Sequence, residues 1–204
     1  MPIPGDRQYF TRTMRIPEQW CVRCFTAVTL IAAASPRAVA GQPPPRYVKA
    51  DAEFLQGMIA HHAQAITMSA LLPSRTKNGP LNSLAERIIV SQRDEIKLMR
   101  RWLLEHGAEA PDPVAHPEHH AHGALMPGML TPEQMARLAA AKGPEFERLF
   151  LEGMIQHHEG AITMTTALFA DKGAAQDLVV YKLASDIEAD QRAEIARMRA
   201  LLKP

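Results

Sequence analysis

Cysteine is nearly absent from this chain of 204 residues: two occur, Cys21 and Cys24, both near the N-terminus. Thiolate metal sites and a disulfide framework are therefore excluded from the bulk of the sequence. Aromatic residues make up 5% of the chain, β-branched alternation is sparse and no Asn-Gly hairpin separates extended runs, so a sheet has no support. No apolar run is long enough to span a membrane. With 23 Lys and Arg against 22 Asp and Glu, the chain lacks the basic excess that a nucleic-acid partner requires. Glu-x-x-His, His-Glu-x-x-His, the nucleophile elbow and the phosphate loop are all missing, so nothing supports a catalytic role.

The first forty residues differ from the rest. Arg7, Arg12, Arg15 and Arg23 precede an uncharged stretch from Cys24 to Ser35, and Ala38-Val39-Ala40 supplies a small-x-small cleavage signal. This pattern predicts a secretory signal peptide over residues 1–40, with Met14 opening a shorter version that keeps every part. The cut would discard both cysteines and leave 18 basic against 20 acidic residues. The mature protein is then expected to be periplasmic or secreted, with residues 41–50 as a proline-rich linker.

What the chain does have, it has twice. Phe54 to Met68 reads Phe-Leu-x-Gly-Met-Ile-x-His-His-x-x-Ala-Ile-Thr-Met, and Phe150 to Met164 repeats eleven of its fifteen residues at an offset of 96. A second echo, Gln92 to Arg100 against Gln191 to Arg199, keeps six of nine at an offset of 99, which places a three-residue difference in the loop between the paired segments. Apolar residues recur at helical spacing over Asp51 to Leu72 and Leu81 to Glu105, and again over Pro144 to Asp171 and Ala174 to Leu202. Thr131-Pro132 opens a short helix through Ala141. The expected architecture is all-α: two duplicated helical hairpins, repeat 1 over 51–106 and repeat 2 over 144–202, packed as a four-helix bundle and joined by a long crossover. That crossover holds His116, His119, His120 and His122 among prolines, a composition that binds metals.

On a helix, Met58 faces both His61 (i+3) and His62 (i+4), so either imidazole can share an ion with that thioether. Met154, His157 and His158 restate the geometry. Met68 lies on the face of His61 but about 10.5 Å farther along the axis, so its partner is expected on another helix. Met99 is the natural candidate from its own hairpin, as Met198 is for Met164. Glu95 and Glu194 are expected to accept hydrogen bonds from the imidazoles and fix their tautomers, with direct ligation of the metal as the alternative. Thioether and imidazole without thiolate suit copper, above all Cu(I). Methionine at helical spacing is also ordinary core filler, but two His-His pairs would then bury costly polar groups for no return. Because imidazole must be deprotonated to bind, affinity is expected to weaken as pH falls through about 6.5.

The paired Phe-x-x-x-Met-x-x-His-His-x-x-Ala-Ile-x-Met segments, with Met126-Pro-Gly-Met129 followed by Thr-Pro-Glu-Gln-Met, resemble the bacterial family known as domain of unknown function 305 over nearly all of residues 50–202. The resemblance implies a ferritin-like four-helix bundle, frequent export, and kinship with a cyanobacterial periplasmic copper-binding protein. It further implies copper ligation by Met58, His61, His62 and Met68, by Met154, His157, His158 and Met164, and by Met126 and Met129. The expected function is copper sequestration, buffering or carriage. A metal-free structural bundle and a metal-dependent oxidase stand as alternatives, and a copper donor or acceptor protein and self-association stand as open partners.

Overall fold

A computed structural model describes residues 47–113 and 125–203. The predicted leader, the start of the predicted linker and the crossover histidines His116, His119, His120 and His122 lie outside these residues. Among the described residues every regular element is helical. The first hairpin contains α1 (Lys49–Ala70), the single turn α2 (Leu72–Arg75) and α3 (Gly79–Glu105); the crossover carries α4 (Pro132–Ala140); the second hairpin is α5 (Gly143–Ala170) and α6 (Leu178–Leu202).

Local chemistry sets the helix ends. The Asn78 side chain accepts from the Leu81 amide at the start of α3, and Thr131 and Gln134 form a reciprocal capping box at α4. Asp177 accepts from both Val179 and Val180, which starts α6 at Leu178, four residues later than the periodicity predicts. The intervening turn holds Ala175 at φ 53°, a left-handed conformation no helix can absorb.

The three-residue difference between the repeats is not a longer loop. Pro73 has no N–H to continue the ladder, so α1 stops two residues after Met68. Helix α5 meets no proline and runs six residues past Met164, and the connection after it is one residue shorter.

The apolar interior forms two cores. On α1 the residues up to Ile59 belong to the first and Ala65 and Met68 to the second; on α6 Ile187 and everything before it belong to the first and Ile195 and Met198 to the second. Helices α3 and α5 run the other way, from Ile88 and Met154 in the second core to Ile96 and Ala161 in the first. Neighbours are therefore antiparallel, α1 on α3, α5 on α6, with the hairpins joined through α1 and α5. This is the duplicated-hairpin bundle expected from the repeat.

One buried polar contact ties the far turn to the start of the bundle: the Asp51 carboxylate, 1% exposed, accepts from the Ala175 amide at 2.6 Å. Asp51→Ala would orphan that buried N–H beside a strained residue. A loss of about 2 kcal/mol in denaturant-measured stability is expected.

Candidate metal centre

All four helices change cores at the same level, and there the sequence places its polar residues. His61 and His62 fall between Ile59 and Ala65, His157 and His158 between Met154 and Ala161, Gln92 and Glu95 between Ile88 and Ile96, Gln191 and Glu194 between Ile187 and Ile195. The result is a polar layer across the middle of the bundle, with all four imidazoles fully buried. The His61 and His157 rings meet at 3.8 Å between centroids, tilted by 35°, where α1 crosses α5.

Each imidazole spends the same nitrogen on the protein. His62 Nε2 donates to Glu95 Oε2 at 2.6 Å and His158 Nε2 to Glu194 Oε2 at 2.7 Å, the carboxylate partnership expected from the sequence. His61 Nε2 donates to the Pro127 carbonyl and His157 Nε2 to the His61 carbonyl, both at 3.0 Å. Every one of these partners is an acceptor, so in the neutral rings the proton belongs on Nε2 and Nδ1 carries a bare lone pair. All four Nδ1 atoms are buried without a hydrogen-bond partner. Buried polar atoms are normally satisfied, and these four equivalent exceptions leave four unengaged lone pairs in one layer. Both amide atoms of Gln92 and Oε1 of Gln191 are also unpartnered in the layer.

Burial drives the His61 pKa down to about 3, with the neighbouring His62 adding to the effect. His157 is lowered well below its ordinary value by burial, then by His61. For these two rings the expected pH dependence is corrected. Proton competition at His61 belongs near pH 3, not 6.5, because the buried ring is already neutral and ready to bind.

The methionines group differently from the expectation. Met68 does not share a core with Met99, nor Met164 with Met198. Met58 and Met99 lie in the first core with Met164 packed against it, whereas Met68, Met154 and Met198 lie in the second. The cause is the antiparallel crossing of α1 and α5, which sets Met164 opposite Gly57 and Met68 opposite Gly153: a Cβ on either glycine would lie 3.4 Å from the facing methionine's Cε. Each half of the layer is thus flanked by three thioethers drawn from both repeats. Among the described residues no three His, Cys, Asp or Glu side chains converge as a ligand set, so an ion held here draws on methionine, which favours a soft cation.

The crossover returns onto the layer at Met126 to Leu130. Gln64 clasps Leu130 through both amide groups, at 3.0 and 2.8 Å, and Gln156 donates to the Gly128 carbonyl. Gly160 lets the turn touch α5, since a Cβ there would sit 1.9 Å from the Pro127 oxygen. Met126 is half-buried with Sδ 3.3 Å from the Cβ position of Gly57. Met129 is buried in the turn, its amide donating to the Met126 carbonyl. Sequence reasoning missed this dock, though it left a trace: residues 56, 60, 63 and 64 are where the motif differs from its copy, and one crossover can dock on a duplicated surface in only one way.

Known proteins share the fold. The chain superposes on a DUF305 fragment from Deinococcus radiodurans with a TM-score of 0.66 and 32% identity, covering 78% of this chain and 98% of that one. It superposes on CopM in its Cu(I)-bound form with a TM-score of 0.58 and 29% identity, covering 76% and 96%; CopM has also been solved with Cu(II) and with Ag. An uncharacterised protein, L153, of Acanthamoeba polyphaga mimivirus is 47% identical over 55 residues, which is 27% of this chain and 36% of that protein's length. The profile described as domain of unknown function (DUF305) matches residues 51–202, and the chain belongs to that family.

Proposed function

We propose that this protein is an exported copper carrier or buffer that holds Cu(I) in the polar layer, through imidazole Nδ1 atoms and methionine thioethers, without catalytic turnover. One observation carries the reading: four buried imidazoles whose Nε2 atoms are engaged and whose Nδ1 atoms are unpartnered. The similarity to a protein solved with copper and silver supports it, and the leader signature supports export. No helix among the described residues is long and apolar enough to cross a membrane. The chemistry suits storage, since His61 and His157 have no proton to release at neutral pH and two cores exclude water around a soft ion. Glu95 and Glu194 hold His62 and His158 in register and make their free nitrogens better donors.

The competing reading is a packed bundle without metal, favoured by the lack of three convergent nitrogen or oxygen donors among the described residues. An anaerobic Cu(I) titration against a coloured chelator separates the two, using protein with Cys21→Ser and Cys24→Ser so that no thiolate competes. Replacing His61, His62, His157 and His158 by leucine should weaken tight binding by on the order of 100-fold. Equally weak binding by both proteins would favour the packed bundle. Sustained oxygen uptake on repeated Cu(I) addition would instead reveal an oxidase.

A further inference from the structure

The duplication carries the methionine sets with it, and the crossover breaks their equivalence. Gly57 and Gly153 are counterparts at the offset of 96, as are Met68 and Met164. Above Gly57 stand the Met164 methyl and the sulfur of Met126, 3.4 and 3.3 Å from its Cβ position. Above Gly153 stand the Met68 methyl at 3.4 Å and, where the second sulfur would be, the Cδ2 of Leu130 at 3.1 Å. Met126 and Leu130 are not repeat counterparts. They are two ends of one turn that bridges the pseudo-twofold and presents a thioether to one side and an isobutyl group to the other.

Exposure differs in the same sense. Met126 and Met164 are half-buried, whereas Leu130 is 3% exposed and Met68 is sealed. The first-core side thus has two thioethers meeting at Gly57, both reachable from solvent, and the second-core side has one at Gly153 under an apolar lid.

We propose, building on the copper reading above, that the protein holds soft monovalent cations at two unequal sites. The Met126 side, with Met58, Met99 and Met164, loads first and exchanges with solvent; the Leu130 side, with Met68, Met154 and Met198, fills second. Thioethers are neutral and polarisable, so the difference applies to Cu(I) and Ag(I) and not to hard divalent ions. One added thioether is expected to separate the two affinities by on the order of tenfold, about 1.4 kcal/mol.

Methionine-methyl NMR during an Ag(I) titration of the protein carrying Cys21→Ser and Cys24→Ser reads each thioether separately, whatever the crossover histidines bind. The methyls of Met58, Met99, Met126 and Met164 should move mostly over the first equivalent, and those of Met68, Met154 and Met198 mostly over the second. Leu130→Met should bring the second group forward to move with the first. Met126→Leu should delay the first group by about tenfold in free Ag(I); this swap is close in volume, so it reports even if Leu130→Met packs badly. Both groups moving together in the parent protein, or the order surviving Met126→Leu, would overturn the proposal. If no methionine methyl moved at all, the copper reading itself would fail, which is a distinguishable result.

Discussion

Lowering the pH from 7.5 to 5 should destabilise the metal-free protein by about 2 kcal/mol through His61 alone. The unfolded ring takes up its proton near pH 6.5, while the folded ring, buried against His62 and His157, stays neutral until about pH 3. Stability from such a depressed group is fully present above 6.5 and is lost progressively as pH falls towards 3, at about 1.4 kcal/mol per unit. His157 is depressed for the same reason and adds in the same direction. Denaturant unfolding at intervals between these pH values checks the slope.

Replacing His61 and His157 by leucine should flatten that slope. It removes two unpartnered buried nitrogens but also the hydrogen bonds to the Pro127 and His61 carbonyls; the two effects offset, so the variant should be no less stable than the parent at pH 7.5 to within about 1 kcal/mol. A polar layer that leucine can replace without loss is one retained for a ligand. A variant clearly less stable at pH 7.5 would mean that the histidines hold the bundle together.

Gly160→Ala is the second large effect. In an open helix interior this change gains about 1 kcal/mol of helix propensity. Here the new methyl would lie 1.9 Å from the Pro127 carbonyl oxygen and 2.6 Å from the Gly128 Cα, and backbone cannot yield as a side chain does. The turn must lift, taking the acceptor of His61 Nε2 with it, and a net loss of about 3 kcal/mol is expected. Gly153→Ala is the control on the same helix. Its methyl meets only side-chain ends, Leu130 at 3.1 Å and Met68 at 3.4 Å, so propensity and crowding nearly cancel. Comparable losses in the two variants would show that the close approach at Gly160 is not what holds the turn.

The helices were legible because their signals are local. Apolar spacing and the Thr131-Pro132 start of α4 each act within a few positions. That Glu95 and Glu194 would each meet an imidazole was also legible, because the motif and its echo repeat together; that the imidazoles are those of His62 and His158 was not. The methionine partners were not. Spacing along one helix leaves the sense of its neighbour open, and it is the antiparallel meeting of α1 with α5, a contact between residues 96 positions apart, that sends Met68 to the opposite hairpin. The acceptor for His61 is a backbone carbonyl at Pro127, and a carbonyl has no signature in sequence. The late start of α6 follows from Asp177 capping two amides, a choice between neighbouring polar residues that periodicity does not resolve.

The most direct test reads the histidine nitrogens themselves. Long-range proton–nitrogen NMR of ring-labelled protein should show His61, His62, His157 and His158 as Nε2–H tautomers before metal is added, as their acceptors require. On anaerobic addition of Cu(I), the Nδ1 resonances should move while the Nε2 protons stay in place. Displacement of the Nε2 protons, or spectra unchanged by Cu(I), would contradict a metal centre built on the free Nδ1 atoms of this layer.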